Sequence, residues 1–228
     1  MNDSIYTIPI SEVFEPLDGC PICRLRNTLE TRAVEYITGA AMMEPDIRIM
    51  TNELGFCEKH LPMIYKTKNK LSVGLILESH LHEIQSEIFN KNFLLDKKGK
   101  LSRVEKVQSS CFVCDKINHA ISRQLETVTL MFERDRDFRD LYKQQPVICL
   151  EHYKDLVKVA HKKLKGKMLS DFLNATDEIT KRYLDTLQSD VSHFTKMFDY
   201  RNSGEDADWR NSKDSLQRAV WFLTSREV

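Results

Sequence analysis

The chain has 228 residues, 41% of them hydrophobic, which is enough to fill a core without cross-links. Lysine plus arginine and aspartate plus glutamate each number 34, so the formal net charge is zero. That balance argues against a uniformly basic duplex-DNA binder and leaves only a local patch for phosphate contact.

The opening "MNDSIYTIPISEVFEP" has acidic residues and no basic n-region, so it does not read as a signal peptide. Next comes "DGCPICRL" (18–25), with Cys20 and Cys23 three apart and Pro21 suited to a first helical position. Ile22, Leu25, Leu29, Ala33 and Ile37 then recur at helical spacing, with Gly39 as the expected C-cap. "GFCEKHL" (55–61) pairs Cys57 with His60. Because Pro62 follows two residues later, the first CxxH is expected to be a turn, with regular helix starting near Pro62.

Val73, Leu77, Leu81, Ile84 and Ile88 predict a longer helix, and the polar "LDKKGKLSRVEKVQSS" (95–110) reads as a linker. "SSCFVCDK" (109–116) brings Cys111 and Cys114, followed by Val113, Ile117, Ile121, Leu125, Val128 and Phe132 as a helical stripe. "VICLEHY" (147–153) brings Cys149 and His152 and leads into Leu150, Tyr153, Val157, Ala160 and Leu164. From Leu169 through Phe172, Thr176, Ile179, Tyr183, Leu187, Val191 and Phe194 to Phe198 runs one stripe, a helix of about 45 Å. Gly204 is expected to break it. A last amphipathic helix with Trp209, Leu216, Val220 and Leu223 is expected to dock as a lid. With no alternating strand pattern of useful length, the fold class is all-α.

The cysteine-bearing segments are evenly arranged. Cys20 and Cys111 are 91 residues apart, as are Cys23 and Cys114; Cys57 and Cys149 are 92 apart, as are His60 and His152. All six cysteines fall within this scheme. It predicts two tandem helical repeats, 1–95 and 111–200, each with a Cys₃His metal site, joined by a 96–110 linker and closed by a 201–228 docking helix.

Two ligands three apart at a helix start point to one side, so two such pairs close a tetrahedron. Three thiolates and an imidazole suit Zn²⁺ in a closed structural site, and helix N-termini would stabilise the residual negative charge. Two zinc ions per chain are expected, held by Cys20, Cys23, Cys57, His60, Cys111, Cys114, Cys149 and His152. Each CxxC most simply joins the next CxxH, although pairing across the repeats satisfies the same chemistry. Inert buried cysteines, a redox CxxC, an iron–sulfur centre and a disulfide framework are the competing readings.

Two other clusters stand out. "ESHLHEIQSE" (78–87) sets His80, His82, Glu83 and Glu87 on a helix, but partner carboxylates for a bundle metal site are missing, and an i,i+4 pair of Glu78 with His82 is the simpler reading. "KVAHKKLKGK" (158–167) has five lysines and no acid, and suits either phosphate contact or a solvated helix end. His119 and His161 suggest no role. No Walker loop, GxSxG or HExxH occurs.

"DGCPICRL" with "GFCEKHL", the second CxxC and CxxH, and the closing "LQRAVWFL" resemble an uncharacterised bacterial family of unknown function with paired CPxC and GFCxxH segments. The resemblance spans nearly the whole chain. It implies a helical fold with metal-ligand positions at Cys20, Cys23, Cys57 and His60, and at their second-repeat counterparts. There the chain departs from the pattern, with "CFVC" lacking the proline and "VIC" replacing "GFC". No activity comes with it.

The expectation is a cytoplasmic, non-enzymatic, zinc-stabilised helical module for interaction or regulation, with a protein partner and no membrane contact. A thiol/zinc redox sensor and a nucleic-acid binder using residues 158–167 are the alternatives.

Overall fold

The computed structural model describes residues 7–89, 97–199 and 208–226, and they are helical without a strand. The expected helix break at Gly204 lies outside the described residues. The eleven α-helices among the described residues are α1 (Ile8–Phe14), α2 (Pro21–Thr38), α3 (Pro45–Leu54), α4 (His60–Lys66), α5 (Lys70–Phe89) and α6 (Lys97–Ser109), then α7 (Phe112–Arg134), α8 (Arg136–Lys143), α9 (Leu150–Lys163), α10 (Gly166–Lys196) and α11 (Ser215–Thr224). No described helix is long and apolar enough to cross a membrane.

The chain divides into two compact units, one of residues 1–25 with 122–228 and one of residues 26–121. These boundaries fall inside α2 and α7 and do not follow the 1–95 and 111–200 division drawn from the sequence. One unit is inserted into the other along the chain.

The 1–25/122–228 unit is built on an aromatic cluster. Phe132 packs edge-on against Phe172 with ring centroids 4.9 Å apart, and Phe14 packs likewise on Phe138 at 5.1 Å. Tyr142 lies between them, 5.8 Å from Phe14 and 5.1 Å from Phe172. Its hydroxyl is fully buried and needs a partner. Thr176 Oγ1 already donates to the Phe172 carbonyl, so Tyr142 donates to Thr176 over 2.8 Å. The Gln145 amide ties α1 to this core by donating to the Phe14 carbonyl, 2.8 Å away.

In this unit α10 spans 31 residues, about 46 Å, and buries Phe172, Thr176, Ile179 and Leu187 of the expected stripe. Helix α11 packs on α9 and α10, but through a different face from the one expected. Ser215 and Phe222 are buried, whereas Leu216, Val220 and Leu223 are 45%, 42% and 59% exposed. Trp209 precedes the helix and packs against Phe194 and Phe198 instead.

In the 26–121 unit, α3 packs on α5, and α6 lies against both. The buried face of α5 is Val73, Ile76, His80 and Ile88, while Leu81 of the expected stripe is 62% exposed. The expected linker is helical from Lys97, because its Lys, Arg, Glu and Gln residues are good helix formers. None of residues 99–109 is fully buried. Polar contacts hold α6 in place: Arg103 pairs with Glu87, Lys106 lies 2.9 Å from Glu53, and Ser110 donates to the Leu54 carbonyl.

Candidate metal centres

Six of the eight residues cap a helix or stand three positions inside it, on α2, α7 and α9; His60 opens α4, and Cys57 lies just before it. The Cys20 carbonyl accepts from Arg24 N at 3.2 Å, which makes Cys20 the residue capping α2 and places Cys23 one turn in. Cys111 caps α7 in the same way, accepting from Asp115 N at 3.0 Å, and its sulfur also accepts from the Cys114 N–H at 3.5 Å. Cys149 caps α9, its carbonyl 2.8 Å from Tyr153 N, and His152 follows one turn in. At the fourth segment the Cys57 carbonyl accepts from both His60 N and Leu61 N. On α2, α7 and α9 cap and third helical position point the same way, and Cys57 and His60 keep the same three-residue spacing across a turn, so each pair presents two donor atoms together.

Residues 58–59 thus form a turn and α4 begins at His60, two residues before Pro62, in line with the expected turn and helix start near Pro62. Pro62 sits in the first turn, where its backbone nitrogen has no helical partner to lose.

The four pairs combine across the sequence repeats, which overturns the simpler pairing of each CxxC with the next CxxH. Cys20 and Cys23 meet Cys149 and His152; Cys57 and His60 meet Cys111 and Cys114. In each group the four donor atoms lie within 4.8 Å of one another, and each group falls within one compact unit. His152 Nδ1 is 3.6, 3.4 and 3.1 Å from the sulfurs of Cys20, Cys23 and Cys149. His60 Nδ1 is 3.3, 3.4 and 3.3 Å from those of Cys57, Cys111 and Cys114. The sulfurs of Cys23 and Cys149 are 3.6 Å apart and those of Cys57 and Cys114 3.7 Å, well beyond the ~2.05 Å of a disulfide, and all six cysteines are free. Each group is a donor set able to hold a metal ion.

The chain belongs to a family of unknown function, DUF6062. The family model matches residues 1–228, and no curated protein and no solved structure matches the chain.

Proton affinities in the two groups are split by the crowding of three sulfurs around one imidazole. Cys114 is pushed up to about 12 by burial and then by the charge of Cys111. Burial also resists ionisation of Cys111, yet hydrogen bonding to His60 and to the Cys114 and Cys57 backbones draws it down to about 6. In the other group Cys23 is driven up by its contacts with Cys149 and Cys20, and Cys149 is driven down by hydrogen bonds from Cys20 and Cys23. Three sulfurs this close cannot all ionise without a nearby cation.

In DUF6062's member described here, several flanking residues escaped sequence reasoning. Gly55 ends α3 at φ +61°, and its carbonyl accepts from Phe112 N at 3.0 Å, which ties "GFC" to the start of α7. A Cβ at Gly55 would lie 2.9 Å from the His80 ring. Ser225 Oγ lies 3.0 Å from Cys149 Sγ, at the left-handed end of α11. Glu30, 3% exposed, lies 3.4 Å from His60 Nε2, 2.5 Å from Lys59 Nζ and 3.6 Å from Arg26 Nε. A helical acid looks like any solvated charge in the sequence; only the packing of α2 makes it a buried one.

The other clusters are not brought to a site. His80 is buried with Nδ1 3.0 Å from the Asn52 carbonyl, Glu87 pairs with Arg103, and His82 is exposed, so residues 78–87 form no donor group. Lys162 and Lys163 lie in the last turn of α9, with Lys163 2.9 Å from Glu126.

Proposed function

We propose that this chain is a zinc-stabilised helical module, without catalysis of its own, that presents helical surface to a protein partner. The observation that carries the reading is the pair of Cys₃His donor sets, each closed within 4.8 Å. Around Zn²⁺, with Zn–S near 2.3 Å and Zn–N near 2.0–2.1 Å, a tetrahedron has S···S edges of about 3.8 Å and S···N edges of about 3.5 Å. The sulfur–sulfur separations of 3.6 and 3.7 Å and the sulfur–nitrogen separations of 3.1–3.6 Å match these edges. Four protein donors leave no open position for a substrate or activated water, which favours a structural role over hydrolysis. Three thiolates and a neutral imidazole leave the site one net negative charge, placed at the positive ends of helices. The outward stripe of Leu216, Val220 and Leu223 on α11 supports a protein partner over an isolated life.

Elemental analysis of chain purified without chelator tests the reading. About two zinc per chain is expected. Iron with acid-labile sulfide, or no metal, would overturn it.

A thiol-based sensor is the second reading, favoured by the half-buried Cys57 and Cys114 with sulfurs 3.7 Å apart. A peroxide would take two electrons from the two thiolates, one S–S bond forming as the O–O bond breaks; protonation yields two waters and zinc is released. Zinc retained under mild peroxide would reject it.

A further inference from the structure

Among the described residues Glu30 is the one fully buried carboxylate. Such a group is held only by strong partners, and its position relative to His60 is specific. His60 turns Nδ1 toward the three sulfurs of its group and Nε2 toward Glu30. A carboxylate 3.4 Å away is placed to accept from Nε2–H, which would leave the Nδ1 lone pair for a metal; carboxylates behind ligating histidines act in this way generally. Lys59 and Arg26 compensate the added charge.

The other group lacks this arrangement. The buried Nε2 atoms of both His60 and His152 lack a formed hydrogen bond among the described residues, but only His60 has a carboxylate oxygen beside it, Glu30 at 3.4 Å. The sequence register shows why the two differ. Ten residues after Cys20 stands Glu30, but ten after Cys111 stands Ile121. Lys59 sits between Cys57 and His60, but Glu151 sits between Cys149 and His152. The second set of segments carries neither the acceptor nor its cation.

We propose that Glu30 is a positioning residue for the Cys57/His60/Cys111/Cys114 centre, holding Nε2–H so that Nδ1 faces zinc, and that it makes this centre the tighter of the two. This rests on the zinc reading above.

The test uses full-length chain with E30L and E30Q, zinc competition against a chromophoric chelator, and ¹⁵N spectra of the histidine rings. Wild type should release two zinc ions with different affinities. E30L should weaken the tighter one by about 10–100-fold and leave the other unchanged. E30Q keeps an oxygen acceptor but cannot pair with Lys59 and Arg26, so recovery of most of the lost affinity marks hydrogen bonding to His60 as the cause. The His60 Nε2–H signal should shift in both variants and that of His152 in neither. Equal loss at both centres without rescue by E30Q, or no change in either variant, overturns the role of Glu30 while two zinc in wild type uphold the zinc reading. Fewer than two zinc in wild type overturns both. If E30L does not fold, an unmoved His60 signal in E30Q still decides against the proposal.

Discussion

Cys23 and Cys149 are 126 residues apart along the chain, yet their sulfurs lie 3.6 Å apart. Cys57 and Cys114, 57 residues apart, lie at 3.7 Å. A metal at either centre would therefore act as a cross-link over a long loop, and such a link removes roughly 4–5 kcal/mol of chain entropy from the unfolded state.

Cys149→Ser should therefore cost one of two zinc ions and lower Tm by about 10 °C, at about 2–4 °C per kcal/mol for a chain of this size. Metal analysis beside calorimetry reads both. Unchanged zinc and Tm would sink the structural role of that centre.

The cross-repeat pairing has its own test in fragments. Residues 26–121 carry all four donors of one group and Glu30, and should hold one zinc through dialysis. Residues 1–95 carry as many cysteines and histidines in Cys20, Cys23, Cys57 and His60, but each half lacks its partner pair. They should bind zinc far more weakly. A tight one-to-one complex of 1–95 would restore the sequential pairing.

Gly55 is held at φ +61° with the His80 ring 2.9 Å from where a Cβ would stand. Gly55→Ala should destabilise by about 1–3 kcal/mol, since both the left-handed backbone and the contact oppose it. Hydrogen exchange at Phe112 N, which donates to the Gly55 carbonyl, should quicken as well. Wild-type stability in G55A would show that the turn has another conformation open to alanine.

On α11, neighbouring residues should behave oppositely. Phe222 is 2% exposed and 5.6 Å from the Tyr183 ring, so Phe222→Ala should cost about 3–5 kcal/mol. Leu223, 59% exposed, should cost within about 0.5 kcal/mol on change to Ala. Chemical denaturation of the two variants measures the difference. Equal losses would mean that Leu223 is covered in solution.

The eight donor positions, their grouping in pairs and the helical class were all legible in the sequence. Ligand pairs three apart and a 3.6-residue apolar period are local properties, set by helix geometry within one or two turns. Even the long α10 was visible, because one stripe runs through Phe172, Thr176, Ile179 and Leu187.

Whatever depends on which segments meet was decided by the tertiary structure. Cys57–His60 and Cys149–His152 present the same donors, so local chemistry cannot tell Cys20–Cys23 which to join. On α11 two apolar stripes compete, and only packing against α9 and α10 selects Phe222 over Leu216, Val220 and Leu223. Glu30 is the sharpest case. Its sequence context is that of a surface acid, and its burial behind His60 follows from the fold that brings α2 against the start of α4. Short-range geometry wrote the candidate donors into the sequence; the long-range burial of side chains decided their partners.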